Sequence, residues 1–181
     1  MRLTTVWFPT FPKASPWVLV TCRVSPAAKP WSHQAVFTPE PSTVVLADDN
    51  PRIPGLVARI LGSEFRIIAH VTDGEALVEA ACRLCPDVLI VDVAMPRLNG
   101  IQAVEQLCLC RAQTAAIVFL TSHGDEALVE RAFAAGGHGF VLKQAATEDL
   151  AVAIVAARGG QTFVSPSLKL RHNPGISPVS V

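Results

Sequence analysis

Four apolar runs in this chain end in groups that can bind a cation or a phosphoryl oxygen. Val44-Val45-Leu46-Ala47 is followed by Asp48 and Asp49, and Val88-Leu89-Ile90-Val91 by Asp92. Ile117-Val118-Phe119-Leu120 leads to Thr121 and Ser122, and Phe140-Val141-Leu142 to Lys143. A pattern driven by burial alone would avoid a carboxylate at position 92, because an unpaired desolvated charge is expensive. Three neighbouring carboxylates repel one another and raise each other's pKa unless a cation joins them. Mg²⁺ suits such a set, since it commonly takes one or two carboxylates together with waters and phosphate oxygens. Lys143 supplies a compact positive charge for Asp92 or for a phosphoryl group, and Thr121 can donate a hydrogen bond to a phosphoryl oxygen. Carboxylates form aspartyl phosphates, so Asp92 is expected to be the nucleophile that accepts a phosphoryl group.

Such a site requires elements that bring four run ends to one place. Strands are expected at 43–47, 65–71, 87–91, 115–120 and 140–142, all short and mostly apolar. Helical periodicity falls between them, at about 51–61, 73–84, 101–107, 125–135 and 146–157. Pro51 suits a first helical turn, and Gly136-Gly137 and Gly159-Gly160 suit helix ends. Five strands alternating with five helices predict a doubly wound parallel α/β sheet covered on both faces. In such sheets ligands bind beyond the carboxyl ends of the strands, where the strand order reverses. Asp48, Asp49, Asp92, Thr121 and Lys143 would therefore converge.

Residues 1–41 differ from the rest. They hold seven of the fourteen prolines and all three tryptophans, with no acidic residue before Glu40 and no sustained period. Residues 1–42 are expected to form a disordered Pro/Trp-rich extension, with a basic partner-binding tail as the functional alternative. The folded domain is expected at 43–165 and a short flexible tail at 166–181.

The 181 residues carry 15 basic and 15 acidic side chains, which gives no whole-chain attraction to nucleic acid or anionic membrane. No apolar run approaches the roughly 18–20 residues that span a bilayer. A soluble cytoplasmic protein is expected. The five cysteines do not suggest a disulfide scaffold. Cys82 and Cys85 spell CxxC, and Cys108 and Cys110 spell CxC. A two-residue spacing on a helix points side chains about 200° apart, which suits one metal poorly. Gly136-Gly137-His138-Gly139 follows a helix and is read as a turn, not a phosphate loop. His123 is read as a surface residue near Thr121, with an effect on phosphoryl hydrolysis as the alternative. His33, His70, His138 and His172 have no metal-ligand spacing.

With these residues placed, segments 43–164 resemble the receiver domain of bacterial two-component response regulators. The matching motifs are VVLADDN, LIVDVAMPRLNG, IVFLTSHGDE and GFVLKQAATEDL. ADDNP at the first strand and GGQTFVSP at the end resemble the LuxR/NarL-type branch. The resemblance implies a flavodoxin-like sheet of order 2-1-3-4-5. It implies Asp92 as phosphoacceptor, and Asp48 and Asp49 binding Mg²⁺ together with Asp92 and the backbone carbonyl of Ala94. Thr121 and Lys143 would contact the phosphoryl group, and Phe140 would occupy the aromatic switch position. The donor would be a histidine kinase or a small acyl phosphate, and the switched protein-interaction surface would lie around 125–160.

The downstream partner is left open, and a homodimer is compatible with the pattern. The chain stops some 16 residues after the folded domain, too few for a further domain of at least ~50 residues, so DNA binding is not expected of it. The alternative is a truncated or degenerate receiver acting only as a dimerisation or binding module. A haloacid-dehalogenase-type enzyme would want a second acid two residues after Asp92, where Ala94 stands.

Overall fold

The computed structural model describes residues 40–109 and 115–168. The chain divides between Glu40 and Pro41, and every element below belongs to the unit that begins at Pro41. Six parallel strands form one sheet: β1 (Ser42–Ala47), β2 (Phe65–Val71), β3 (Val88–Val91), β4 (Ala116–Thr121), β5 (Gly139–Leu142) and β6 (Phe163–Val164). Their order is β2-β1-β3-β4-β5-β6. The helices are α1 (Ile53–Leu61), α2 (Gly74–Leu84), α3 (Gly100–Leu109), α4 (Glu126–Ala134) and α5 (Ala146–Arg158).

Successive strand residues face opposite sides of a sheet, and here both sides are buried. Val45, Leu89, Val91, Ile117, Phe119 and Phe140 face a core closed by α2, α3 and α4. Val44, Leu46, Ile90, Val118, Leu120 and Val141 face a second core closed by α1 and α5. Each fully buried Val, Leu, Ile or Phe contributes roughly 1.5–3 kcal/mol of transfer free energy, which makes the central strands near-continuously apolar. Asp73 caps α2 by accepting from Ala76 N–H at 3.0 Å, and Asp125 caps α4 by accepting from Leu128 N–H at 2.8 Å.

The five expected strands stand in the expected order, and β6 extends the sheet beyond β5. A two-residue strand carries no readable alternation, so only its pairing with β5 defines it. The proline expectation for α1 is corrected. Asn50 uses its side chain to accept from Arg52 N–H and its carbonyl to accept from Ile53 N–H. Pro51 thus sits in the turn before the helix, and Pro54 is the proline of the first helical turn. The N-terminal segment 1–39, residues 169–181 of the tail, Cys110, and the Cys108 side chain lie outside the described residues. His33 and His172 are among them.

Candidate functional site

All six strands run the same way, so their carboxyl ends share one edge of the sheet. β1 and β3 are neighbours, and the chain leaves them in opposite directions, toward β2 and toward β4. This is the point where open α/β sheets form binding crevices. Asp48 N–H donates to the Val71 carbonyl at 2.9 Å, and Asp92 N–H donates to the Ala47 carbonyl at 2.8 Å. Sheet hydrogen bonding thereby brings both carboxylates to the crevice.

Asp48 and Asp92 are buried, whereas Asp49 beside them is exposed. The three offer carboxylate oxygens that all lie within 4.8 Å of one another. Lys143 Nζ stands 2.7 Å from Asp48 Oδ2 and 2.6 Å from Asp92 Oδ2. The contact to Asp92 is also a hydrogen bond. The contact to Asp48 is a charge pair without hydrogen-bond alignment, so the buried Asp48 Oδ2 has no hydrogen-bond partner. The other oxygens meet the main chain. Asp48 Oδ1 accepts from Asn50 N–H at 2.9 Å, and Asp92 Oδ1 from Ala94 N–H at 3.2 Å.

Burial raises the Asp48 pKa above its ordinary value, and Asp92 adds to that rise against the pull of Lys143 and the Asn50 N–H. Burial would push Lys143 down, but its contacts with Asp48 and Asp92 outweigh that and raise its pKa. The donor set is all oxygen, anionic and clustered, with one buried oxygen lacking a hydrogen bond. Such a set fits a hard divalent cation.

Thr121 closes β4 on the same edge and is buried, while Ser122 and His123 beyond it are exposed. Phe140 lies inside, its ring centroid 6.5 Å from that of Phe119. A Cβ on Gly124 would come within 2.8 Å of the Phe140 ring, so the loop after β4 lies directly over it. The acids and Lys143 therefore come together as expected, and Phe140 lies in the core beneath the loop that follows Thr121.

Three supports were not legible in sequence. His70 at the end of β2 donates its Nε2–H to the Asp48 carbonyl at 2.8 Å. Arg97, in the loop after Asp92 and with a φ of 62°, pairs with the buried capping carboxylate of Asp73. Gly74 N–H donates to the Leu98 carbonyl at 3.0 Å, an approach so close that a Cβ at position 74 would collide with it. These contacts join residues far apart in the chain, and no local pattern announces them. Gly100 was legible only as a helix start. A Cβ there would collide with the Asp92 carbonyl, so the glycine lets α3 begin against the site.

The response regulator receiver domain family matches residues 44–155. The chain is 32% identical over 132 residues to the transcriptional regulatory protein DegU of Brevibacillus brevis, a match covering 72% of this chain and 55% of that protein. It is 30% identical over 131 residues to the nitrate/nitrite response regulator protein NarL of Escherichia coli strain K12, covering 71% and 60%. The chain thus spans little more than half the length of these curated relatives. It also resembles the isolated REC domain of RcsB from Salmonella enterica serovar Typhimurium, solved in the presence of the phosphomimetic BeF3⁻. There the TM-score is 0.62 at 26% identity, covering 71% of this chain and 96% of that one. No helix among the described residues is long and apolar enough to cross a membrane.

Proposed function

The chain belongs to the response regulator receiver domain family of two-component systems, in the LuxR/NarL-type branch, and from that membership we propose that Asp92 accepts a phosphoryl group in a Mg²⁺-dependent reaction. The observation that carries the reading is the Lys143 ammonium held between two buried carboxylates, Asp48 and Asp92, at the sheet's switch point. The phosphomimetic used with the similar RcsB domain supports the same chemistry.

In this mechanism a carboxylate oxygen of Asp92 attacks phosphorus and forms the new P–O bond. The bond from phosphorus to the donor breaks, releasing the imidazole of a histidine kinase or the carboxylate of a small acyl phosphate. Asp48, Asp49, Asp92 and the Ala94 carbonyl would hold Mg²⁺, which neutralises phosphoryl oxygens when bound. Lys143 moves from carboxylate toward phosphoryl oxygen, and the Thr121 hydroxyl donates to another. Movement of Thr121 frees space beneath β4 for Phe140, which alters the surface around 125–160 that a protein partner reads. The chain acts as a receiver and catalyses at most its own phosphorylation and dephosphorylation.

Intact-mass spectrometry after incubation with acetyl phosphate tests this. A single phosphate adduct that requires Mg²⁺ and disappears in Asp92→Asn is expected. A folded protein that takes no adduct from acetyl phosphate or from a histidine kinase is a binding module only.

A further inference from the structure

Just after β6, and away from the acids, Ser165 joins three elements. Its N–H donates to the Phe140 carbonyl at 2.9 Å, extending the β5–β6 ladder by one step. In a parallel ladder the next donor, Leu142 N–H, would take the carbonyl of Ser165. That carbonyl instead accepts from Leu168 N–H at 2.9 Å, because the chain turns. The Ser165 hydroxyl takes its place and accepts from Leu142 N–H in a long hydrogen bond of 3.4 Å. Its own proton goes to Asp149 Oδ2, in the first turn of α5. A hydroxyl has one proton to give and lone pairs to receive, so a single buried atom serves both partners.

What lies between those partners is the Lys143 turn. Leu142 immediately precedes Lys143, and the short helical turn Lys143–Ala145 leads directly into α5. The backbone carrying the lysine is therefore pinned on one side at Leu142 and on the other at Asp149, and both pins end on Ser165. The ammonium has to meet Asp48 and Asp92 at once, so a small shift of this backbone would break the bridge.

We propose that Ser165 is a positioning residue for phosphoryl transfer, holding the Lys143 turn in place through Leu142 and Asp149. The proposal rests on Asp92 being the phosphoacceptor. No distance in the crevice involves Ser165 itself, so its effect must pass through Lys143.

The test follows phosphate-adduct formation on the full chain by intact mass, with acetyl phosphate and Mg²⁺. Ser165→Ala is expected to slow the adduct about ten-fold, in the range that small misplacements produce. The Mg²⁺ concentration giving half the maximal rate stays unchanged, because the carboxylates are untouched. Ser165→Thr keeps the hydroxyl and recovers most of the rate. In a Lys143→Ala background, Ser165→Ala causes no further loss, since residues acting through one another are not additive. A wild-type rate in Ser165→Ala overturns the proposal, and so does a loss that adds in full to that of Lys143→Ala. If Ser165→Ala does not fold, Asp149→Ala removes the other pin and must show the same non-additivity. An adduct retained in Asp92→Asn instead overturns the phosphoacceptor reading beneath it.

Discussion

The carboxylate of Asp48 is buried with one oxygen lacking a hydrogen bond, although the Lys143 ammonium stands 2.7 Å away. Its pKa is raised, burial being the largest cause. A folded-state pKa above the ordinary 3.8 means that the stability this group contributes is fully present below that value and is lost as pH rises through the raised value. Near neutral pH the charged form of Asp48 is thus the one that burial disfavours. Asp48→Asn is expected to raise the melting temperature of the metal-free protein, because the amide has no charge for burial to penalise. With Mg²⁺ the order reverses, because a cation that binds only the folded wild type stabilises it by mass action. Scanning calorimetry with chelator and then with Mg²⁺ checks both. A lower melting temperature for Asp48→Asn in chelator would mean that the Lys143 pair outweighs desolvation. At this scale the sequence announced the acids by type and position. It was silent on His70 and Arg97, whose partners lie on other strands and loops.

At the scale of elements, the sheet's amino edge carries its own titrating group. His138, at the entry to β5, donates its N–H to the Ile117 carbonyl at 2.8 Å, and its Nδ1 accepts from Ile117 N–H at 3.2 Å. Its carbonyl accepts from Phe163 N–H, so one residue joins the starts of β4, β5 and β6. An imidazolium cannot accept at Nδ1, and burial lowers the pKa below 6.5. The unfolded chain therefore binds the proton first. Stability is lost as pH falls below about 6.5 and levels off beneath the depressed folded value. Urea unfolding at about pH 7.5 and about pH 5.5 should show this drop in wild type. It should be smaller in His138→Gln, whose amide does not titrate. Phosphate-adduct formation at pH 7.5, read at the opposite edge of the sheet, should be unaffected. The histidine was visible in sequence only inside a glycine-rich turn, and nothing there indicated that a ring nitrogen would replace a ladder carbonyl.

For the whole molecule, the proposed switch would connect the Asp92 edge to the α4 side through Phe140. That ring is fully buried beneath Gly124 and beside Phe119. Phosphorylation is expected to bias an existing equilibrium, not to create a new fold. Hydrogen exchange with BeF3⁻ and Mg²⁺ should change at 121–145 and at 163–168, where Ser165 and Leu168 bond or pack against the switch elements. β2, at the far edge, should keep its protection. A uniform change over all strands would indicate global stabilisation without a switch. The sequence by itself determined the first five strands, the helices between them and the acids at strand ends. Apolar periodicity and strand-end chemistry are local properties, written in consecutive residues. Tertiary structure alone decided that Lys143 bridges Asp48 and Asp92, that β6 pairs with β5, and that Ser165 and Arg97 brace the loops around the site. Each of those depends on which strands become neighbours and how the main chain leaves them, and such contacts form only when distant segments are packed together.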